Sequence, residues 1–498
     1  MNKIESKYLT FKTIQNKISS YDRDSLITEC INFLIDNEVV FTEKKPSIFW
    51  QVLPILKWSL EFAGKQAKKT ANKKSIYKLL ELSHALEDKG FELNYESLNR
   101  FLRRTSYQQF WFQRLDYIGM FERQYIMFYQ LKSRYEIKDS FYNLTGLRID
   151  EFLILSSTIF LSTIVREKDK YINLIDVNLT EFLYKLNDNK TLVDNYIEML
   201  KVSSNNPDKL VDRFNTKIKS REFQTFSPSL FSLTPLLEHN DKIYILHKLL
   251  FLYSCKFYLY DYLKLNDDKF STEFGARMEK YIKLGLDELS INYVDENQLK
   301  LLLPKNSKVT DYLIEDKIIL ESKAIELPPY ESVSSKDDLL YSRLKNSLIK
   351  AYTEQILTVY NFMLNSNSNQ EYYGIVLTYK NLNLGDGNYL WDEIINYNNK
   401  ASDYARDNNL KLLPKENFFV IDLDTWERLL SIIKQKNISL PSVLEKIKND
   451  KIAAQKDPKL RKFDFGMHLD EYGKYNKMDL NYLSNVTQYV SIEKPNQV

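Results

Sequence analysis

Val309-Thr310-Asp311-Tyr312-Leu313-Ile314-Glu315-Asp316-Lys317-Ile318-Ile319-Leu320-Glu321-Ser322-Lys323 is two short apolar runs joined by a polar turn, and the fold turns on how it is read. Val309 to Ile314 and Ile318 to Lys323 are rich in β-branched and aliphatic side chains, which predicts a β-hairpin turning at Glu315-Asp316-Lys317. With those three residues in the turn, Ile314 pairs with Ile318, and counting outward sets Asp311 opposite Glu321. Side chains alternate across a strand, so Glu321 and Lys323 share one face, and in this register Asp311 shares it too. A two-residue turn would slip the pairing by one and send Asp311 to the other side. Carboxylates opposed across a strand pair repel unless a cation lies between them, and these oxygen donors suit Mg²⁺ or Mn²⁺. A lysine beside such an ion can orient an attacking water or counter the charge that develops on a phosphate. The same charges could instead make a solvated surface hairpin, with Lys323 paired to Glu321 for about 0–1 kcal/mol. The apolar strands favour a sheet buried on both faces, where unpaired charges are costly unless they coordinate something.

The flanking sequence reads as an α/β or α+β core. Leu339 to Leu364 carries Leu344, Leu348, Ala351, Ile356, Val359 and Phe362 at helical spacing and stops at Asn365-Ser-Asn-Ser-Asn. Tyr372 to Tyr379 predicts a strand, Trp391 to Arg406 a helix, and Asn417 to Leu423 another strand, a succession that implies a mixed or partly parallel sheet. Asp424 is the expected N-cap of the next helix. Upstream, Pro235 to Ile245 predicts a hairpin turning at Asn240-Asp241, followed by an aromatic helix from Leu246 to Leu265.

The quoted residues resemble the PD-(D/E)XK nuclease superfamily, whose motif is an acidic residue on one strand and (D/E)-x-K on the next. Asp311 and Glu321-Ser322-Lys323 are the matching positions, with Thr310 where the motif's name has proline. Members often add an acidic residue on the preceding helix, matched by Glu279 in Phe274-Gly-Ala-Arg-Met-Glu279-Lys-Tyr281. They also often place a polar residue on the following helix, matched more loosely by Gln355, with Lys350 nearby. The resemblance implies a restriction-endonuclease-like mixed-sheet domain over about 226–440 that cuts a phosphodiester backbone with Mg²⁺ or Mn²⁺ held by Asp311, Glu321 and Glu279. It also implies DNA as the substrate, with RNA the alternative, and a role in bacterial defence in which a phage-derived protein acts as trigger. A degenerate site that only binds nucleic acid or protein is the competing expectation.

Residues 1–225 read as a mostly helical recognition or regulatory domain: Pro46–Ala67, Lys74–Asp88, Tyr95–Arg104, Gln108–Ser133, Ile149–Arg166 and Leu179–Val202 all show apolar residues three and four apart. Residues 441–498 would form a C-terminal helical tail. One basic cluster joins Lys65, Lys68, Lys69, Lys73 and Lys74; another sets Arg100, Arg103, Arg104 and Arg114 among Tyr107, Phe110, Trp111 and Phe112. Cations beside aromatic rings can hold phosphates and stack on unpaired bases, so Lys68, Lys69 and the four arginines are candidate nucleic-acid contacts, against a solvated helix face and core packing. Lys209 to Arg221 is a third basic run of undecided role.

The 498 residues suffice for two or three domains with large cores. A net charge of +3 leaves nucleic-acid binding to local patches rather than to the global field. Two cysteines, Cys30 and Cys255, are too few for a disulfide scaffold and fit a reducing cytoplasm as buried thiols. The start Met-Asn-Lys-Ile-Glu-Ser-Lys lacks a signal-peptide core, and Phe152 to Val165 is too short for a membrane span of about 20 residues, so a soluble cytoplasmic protein is expected. Abundant Lys, Asn, Ile and Tyr suggest an AT-rich, hence bacterial, genome. No phosphate-binding P-loop and no dinucleotide glycine motif occur, which argues against an ATPase motor or a nicotinamide enzyme. The histidines His84, His239, His247 and His468 form no metal pattern; Arg461 and His468 brush the Arg-x(4–6)-His spacing that resembles HEPN ribonucleases, although Gly466 suits that helix poorly.

Overall fold

The computed structural model describes residues 10–36, 49–64, 67, 69–88, 98–110, 116–164, 178–208, 210, 231–333, 337–385, 387 and 389–490. The chain is mostly helical with two small mixed sheets, an α+β composition, and divides into two compact units. One unit comprises Met1–Tyr117, Ile137–Asp268 and Gln488–Val498, the other Ile118–Glu136 and Lys269–Thr487. The boundary expected at 225/226 lies outside the described residues, and the division falls instead at 268/269. The reason is the helix Lys248–Asn266, which buries itself in the first unit: Tyr258 stands 5.1 Å from Phe152, and Ser254 Oγ donates to the carbonyl of Ser232 at 2.6 Å.

In the first unit, β1 (Lys201–Ser203), β2 (Leu236–His239) and β3 (Lys242–Ile245) form a sheet in that order, parallel and then antiparallel. The β2–β3 hairpin turns at Asn240 and Asp241, both at positive φ, as the sequence predicts. Leu179–Val202 is not one helix. Asn189 accepts from Leu192 N and caps a second helix, Lys190–Leu200, after the first ends at Leu186, and Lys201 to Ser203 enter the sheet. Gln108–Ser133 is broken as well, because Gly119 at φ +73° starts a new helix at Met120.

The second unit holds a five-stranded sheet, β4 (Tyr293–Asp295), β5 (Tyr312–Ile314), β6 (Ile318–Lys323), β7 (Tyr373–Thr378) and β8 (Phe418–Asp422), hydrogen-bonded in that order. The first two pairings are antiparallel and the last two parallel. Parallel neighbours need crossovers, and two helical ones supply them, 337–366 and 390–407, the second broken at Asn398 and Asn399, both at positive φ, so that the helix expected over Trp391–Arg406 is in two pieces. In the first, Leu344, Leu348, Ala351, Ile356 and Val359 are all fully buried, as their spacing predicts. Helix and sheet approach so closely that a Cβ on Gly374 of β7 would lie 2.7 Å from Leu413 and 3.1 Å from Ile356. The β5–β6 register pairs Ile314 with Ile318 and Tyr312 with Leu320, the three-residue-turn register, although the first strand begins at Tyr312 rather than Val309. The helix Leu423–Lys436 is capped by Asp422, which accepts from Thr425 N at 2.7 Å, and not by Asp424.

Asp424 has another task. It pairs with Arg123 and with Lys477 Nζ at 3.0 Å, while Arg123 also grips Glu427 through Nε at 2.7 Å and Nη2 at 2.9 Å. Lys477 Nζ stands 3.3 Å from Glu427, and Tyr281 donates to the same carboxylate at 2.6 Å. This buried cluster of two cations and two anions joins segment 118–136 to the helix after β8 and to residues beyond 470. The expected separate tail therefore packs as part of the second unit as far as Thr487. Stripping one partner from a buried ion pair strands the other's charge, so Arg123→Met is expected to cost about 3–5 kcal/mol in urea unfolding. A fragment beginning at residue 226 loses the same guanidinium and should lack a cooperative transition; if it unfolds as sharply as the full chain, the cluster is dispensable.

Candidate active site

Two helical elements of the second unit converge on the β5–β6 hairpin. Its turn is closed by Lys317 N donating to the Ile314 carbonyl at 3.0 Å, with Glu315 and Asp316 both at positive φ. That register leaves Asp311 one residue before β5 and level with Glu321. Asp311 N donates to Glu321 Oε2 at 3.2 Å, and Asp311 Oδ2 accepts from Ser322 N at 2.6 Å and Ser322 Oγ at 2.7 Å. Lys323 Nζ is ion-paired with Glu321 Oε1. From the crossover helix, Gln355 Nε2 donates to Glu321 Oε1 at 2.7 Å and to the Val309 carbonyl at 3.2 Å. Gln355 lies in a π-helical turn, Ala351–Ile356, a distortion that re-aims side chains and recurs at functional sites. Glu279 comes from the helix Phe270–Glu288, tied to the hairpin where Tyr312 Oη donates to its carbonyl at 3.0 Å. Of the five candidate residues, Asp311, Glu321, Lys323 and Gln355 are linked to one another through side-chain hydrogen bonds or an ion pair, and Glu279 meets the hairpin through its backbone carbonyl.

The electrostatics follow from carboxylates buried close to one another. Glu321, 1% exposed, is pushed up to about 8 by burial and then by Asp311, against the pull of Lys323 and Gln355. Burial also raises Asp311, opposed by its two bonds from Ser322. Glu279 is pushed up to about 7 by burial, then by Asp311 and Glu296. Its half-buried carboxylate makes no side-chain hydrogen bond or ion pair among the described residues. Carboxyl oxygens are hard donors of the kind that suit a divalent cation such as Mg²⁺ or Mn²⁺. As placed, Glu321 spends both oxygens on protein donors, and among the described residues no three or more His, Cys, Asp or Glu side chains stand close enough to hold an ion. Binding would therefore require Lys323 to release Glu321 and the acidic side chains to draw closer together.

The candidate nucleic-acid contacts fare differently. Arg103 and Arg104, on the helix Leu98–Thr105, are 1% and 5% exposed, so as placed they are interior groups and not a phosphate-facing surface. The helix turns inward two of the arginines expected to face phosphates. Lys69 is exposed, with its ammonium 4.5 Å from the centre of the Tyr21 ring. Lys73 pairs with Asp36 at 2.7 Å. Lys68, Arg114, the Arg100 side chain and most of the run 209–221 lie outside the described residues.

The Arg461–His468 pair shares no helix, because Asp464 caps a short one, Phe465–Leu469, that leaves Arg461 outside. His468 is buried against Asp450 at 3.0 Å. Ser322, which anchors Asp311, was not legible: the middle position of an E-x-K triplet carries no rule. No protein-family model, curated protein or solved structure matches this chain. Among the described residues no helix is long and apolar enough to cross a membrane.

Because Glu321 titrates near 8 in the folded chain and near its ordinary 4.5 when unfolded, its contribution to stability is complete below about 4.5 and is lost as pH rises through 8. Glu321→Gln removes that cost. In metal-free buffer the variant should be more stable than the parent by over about 1 kcal/mol at pH 8.5, with the gap closing towards pH 5. Melting temperatures across that range give the answer, and a gap that does not change with pH would count against the buried charge.

Proposed function

We propose that the chain is a metal-dependent nuclease that hydrolyses phosphodiester bonds at the β5–β6 hairpin. The observation that carries this is the register that sets Asp311 against Glu321-Ser322-Lys323 while flanking helices bring Glu279 and Gln355 to the same place. A solvated hairpin would not bury Glu321 beside Asp311. The sheet order, two antiparallel pairings followed by two parallel ones with a helical crossover after β6, suits the restriction-endonuclease-like arrangement that the motif implies.

In this reading Asp311, Glu321 and Glu279 would hold Mg²⁺ or Mn²⁺, which would supply an activated water and neutralise charge on the phosphate. Ser322 fixes Asp311 through two hydrogen bonds, and Gln355 fixes Glu321 against the Val309 carbonyl. Lys323, once released from Glu321, donates to the attacking water or to a non-bridging phosphate oxygen, where charge grows in the transition state. DNA is the preferred substrate and anti-phage defence the preferred setting, with a phage-derived protein as trigger sensed by the N-terminal unit. Both preferences rest on the superfamily resemblance.

The test is cleavage of supercoiled plasmid, linear duplex, single-stranded DNA and RNA by the full chain with Mg²⁺, with Mn²⁺ and with EDTA, alongside Lys323→Ala. Cutting that needs the metal and falls by about 10²-fold or more in the variant is expected. Cutting that persists in EDTA, or is equal in both proteins, would remove this site from the reaction. RNA as the preferred substrate would keep the site and change the substrate.

A further inference from the structure

Four histidines occur in the chain, and one of them, His247, sits where a helix begins. It is the N-cap of Lys248–Asn266, and its ring Nδ1 accepts the backbone N–H of Leu249 at 3.2 Å. The ring is buried. The helix it opens carries much of the first unit's core, with Phe251, Cys255, Tyr258 and Leu259 all buried along it. The residues around the cap tie it to the rest of that core. Leu246 and Leu250 belong to the apolar cluster that Ile27, Leu56, Trp58 and Val202 help to build, and the Leu246 N–H donates to the Pro235 carbonyl at 3.1 Å. An Asn or Ser cap keeps its acceptor oxygen at any pH, whereas an imidazole keeps an acceptor nitrogen only while it is neutral.

Three things oppose a proton on Nδ1. The N–H of Leu249 can only donate, so a protonated Nδ1 would set two donors against each other. The N-terminus of a helix carries partial positive charge, which disfavours a cation there. Burial pushes the ring down to about 3, and Lys248, the charged group that acts on it among the described residues, pushes the same way. His239 is equally buried but differently partnered. Its Nδ1 lies 3.0 Å from Ser204 Oγ and its Nε2 2.9 Å from Thr28 Oγ1, hydroxyls that accept as well as donate. The Asn240 amide, 3.2 Å from Nε2, has an oxygen to offer as well as its nitrogen, so a charged ring keeps partners there. Burial lowers that ring too, against the pull of Asp24 and with a push from Arg23. We infer that His247 is an acid-sensitive helix cap: a proton on its ring breaks the bond to Leu249, frays Lys248–Asn266 from its first turn and loosens the apolar cluster beside it. The folded ring resists a proton that the unfolded ring takes up near 6.5, so the stabilisation is complete above that value and is lost as pH falls through it towards 3. The device belongs to the first unit and stands whether or not the second is a nuclease.

The experiment is hydrogen exchange of the full chain at pH 7.5 and at pH 5, followed by mass spectrometry and corrected for the chemical exchange rate at each pH. The proteins are the parent, His247→Asn, which caps the helix without titrating, and His239→Asn. For peptides within Lys248–Asn266 the opening constant of the parent should rise about 30-fold between the two conditions, and its ratio to that of His247→Asn should rise by a similar factor. His239→Asn should keep the parent's dependence. A helix equally protected at both pH values in the parent overturns the inference without any variant. So does a ratio of parent to His247→Asn that is the same at both, and a dependence that vanishes in His239→Asn instead moves the switch to the other ring. Should His247→Asn not fold, His247→Ser, a second cap that does not titrate, is read in its place.

Discussion

The left-handed turn at Glu315 and Asp316 is the constraint on which the site depends. Two consecutive non-glycine residues at positive φ are unfavourable by roughly 1–2 kcal/mol each, and the chain accepts them where the turn must follow the twist of the flanking strands. In return the pairing of Ile314 with Ile318 is fixed, and everything beyond it in both strands follows in step. A slip of one residue would put Asp311 beside a different backbone amide and aim Glu321 into the opposite layer. Burial enforces the same register, since Leu313, Ile314, Ile318, Ile319 and Leu320 are all almost completely inaccessible.

That sheet is supported from both ends of the sequence. Glu279 and Arg277 come from the helix before β4, Gln355 from the crossover after β6, and the helix after β8 receives Arg123 from far upstream. The chain enters the second unit at Ile118, leaves it after Glu136 and re-enters at Lys269. Neither unit is thus a continuous stretch of sequence. Cutting at a point between them removes buried partners from one side or the other.

Elements with a strong local signature were legible. The hairpin and its register, β7, β8, the crossover helix and the Asn240-Asp241 turn all announce themselves through alternation, helical spacing or turn chemistry within a few residues. What escaped was long-range. Nothing around Gly119 marks residues 118–136 as part of a domain that resumes at Lys269, and nothing around Arg103 or Arg104 says that their helix turns them inward. Asp424 read as a cap because it precedes a helix; its true partners, Arg123 and Lys477, lie hundreds of positions upstream and dozens downstream. The Asn residues at 187 and 189 were a local signal for the break after Leu186, outweighed by apolar periodicity on either side.

Two charged clusters in the second unit make the functional argument by contrast. Around Glu427 two cations meet two carboxylates, Tyr281 adds a hydrogen bond, and the set binds three separated segments of chain together. Its charges are matched from within the protein, which is what structural burial requires. Around Asp311 burial and neighbouring carboxylates raise Glu321 to about 8 and Glu279 to about 7, and Glu279 has no hydrogen-bonding partner for its carboxylate among the described residues. Both clusters sit in the same unit, so burial alone does not explain the difference. The two sets differ in what the protein leaves unmatched: at Glu427 each charge has an opposite within reach, whereas at Glu321 and Glu279 burial and the neighbouring Asp311 favour the protonated carboxyl.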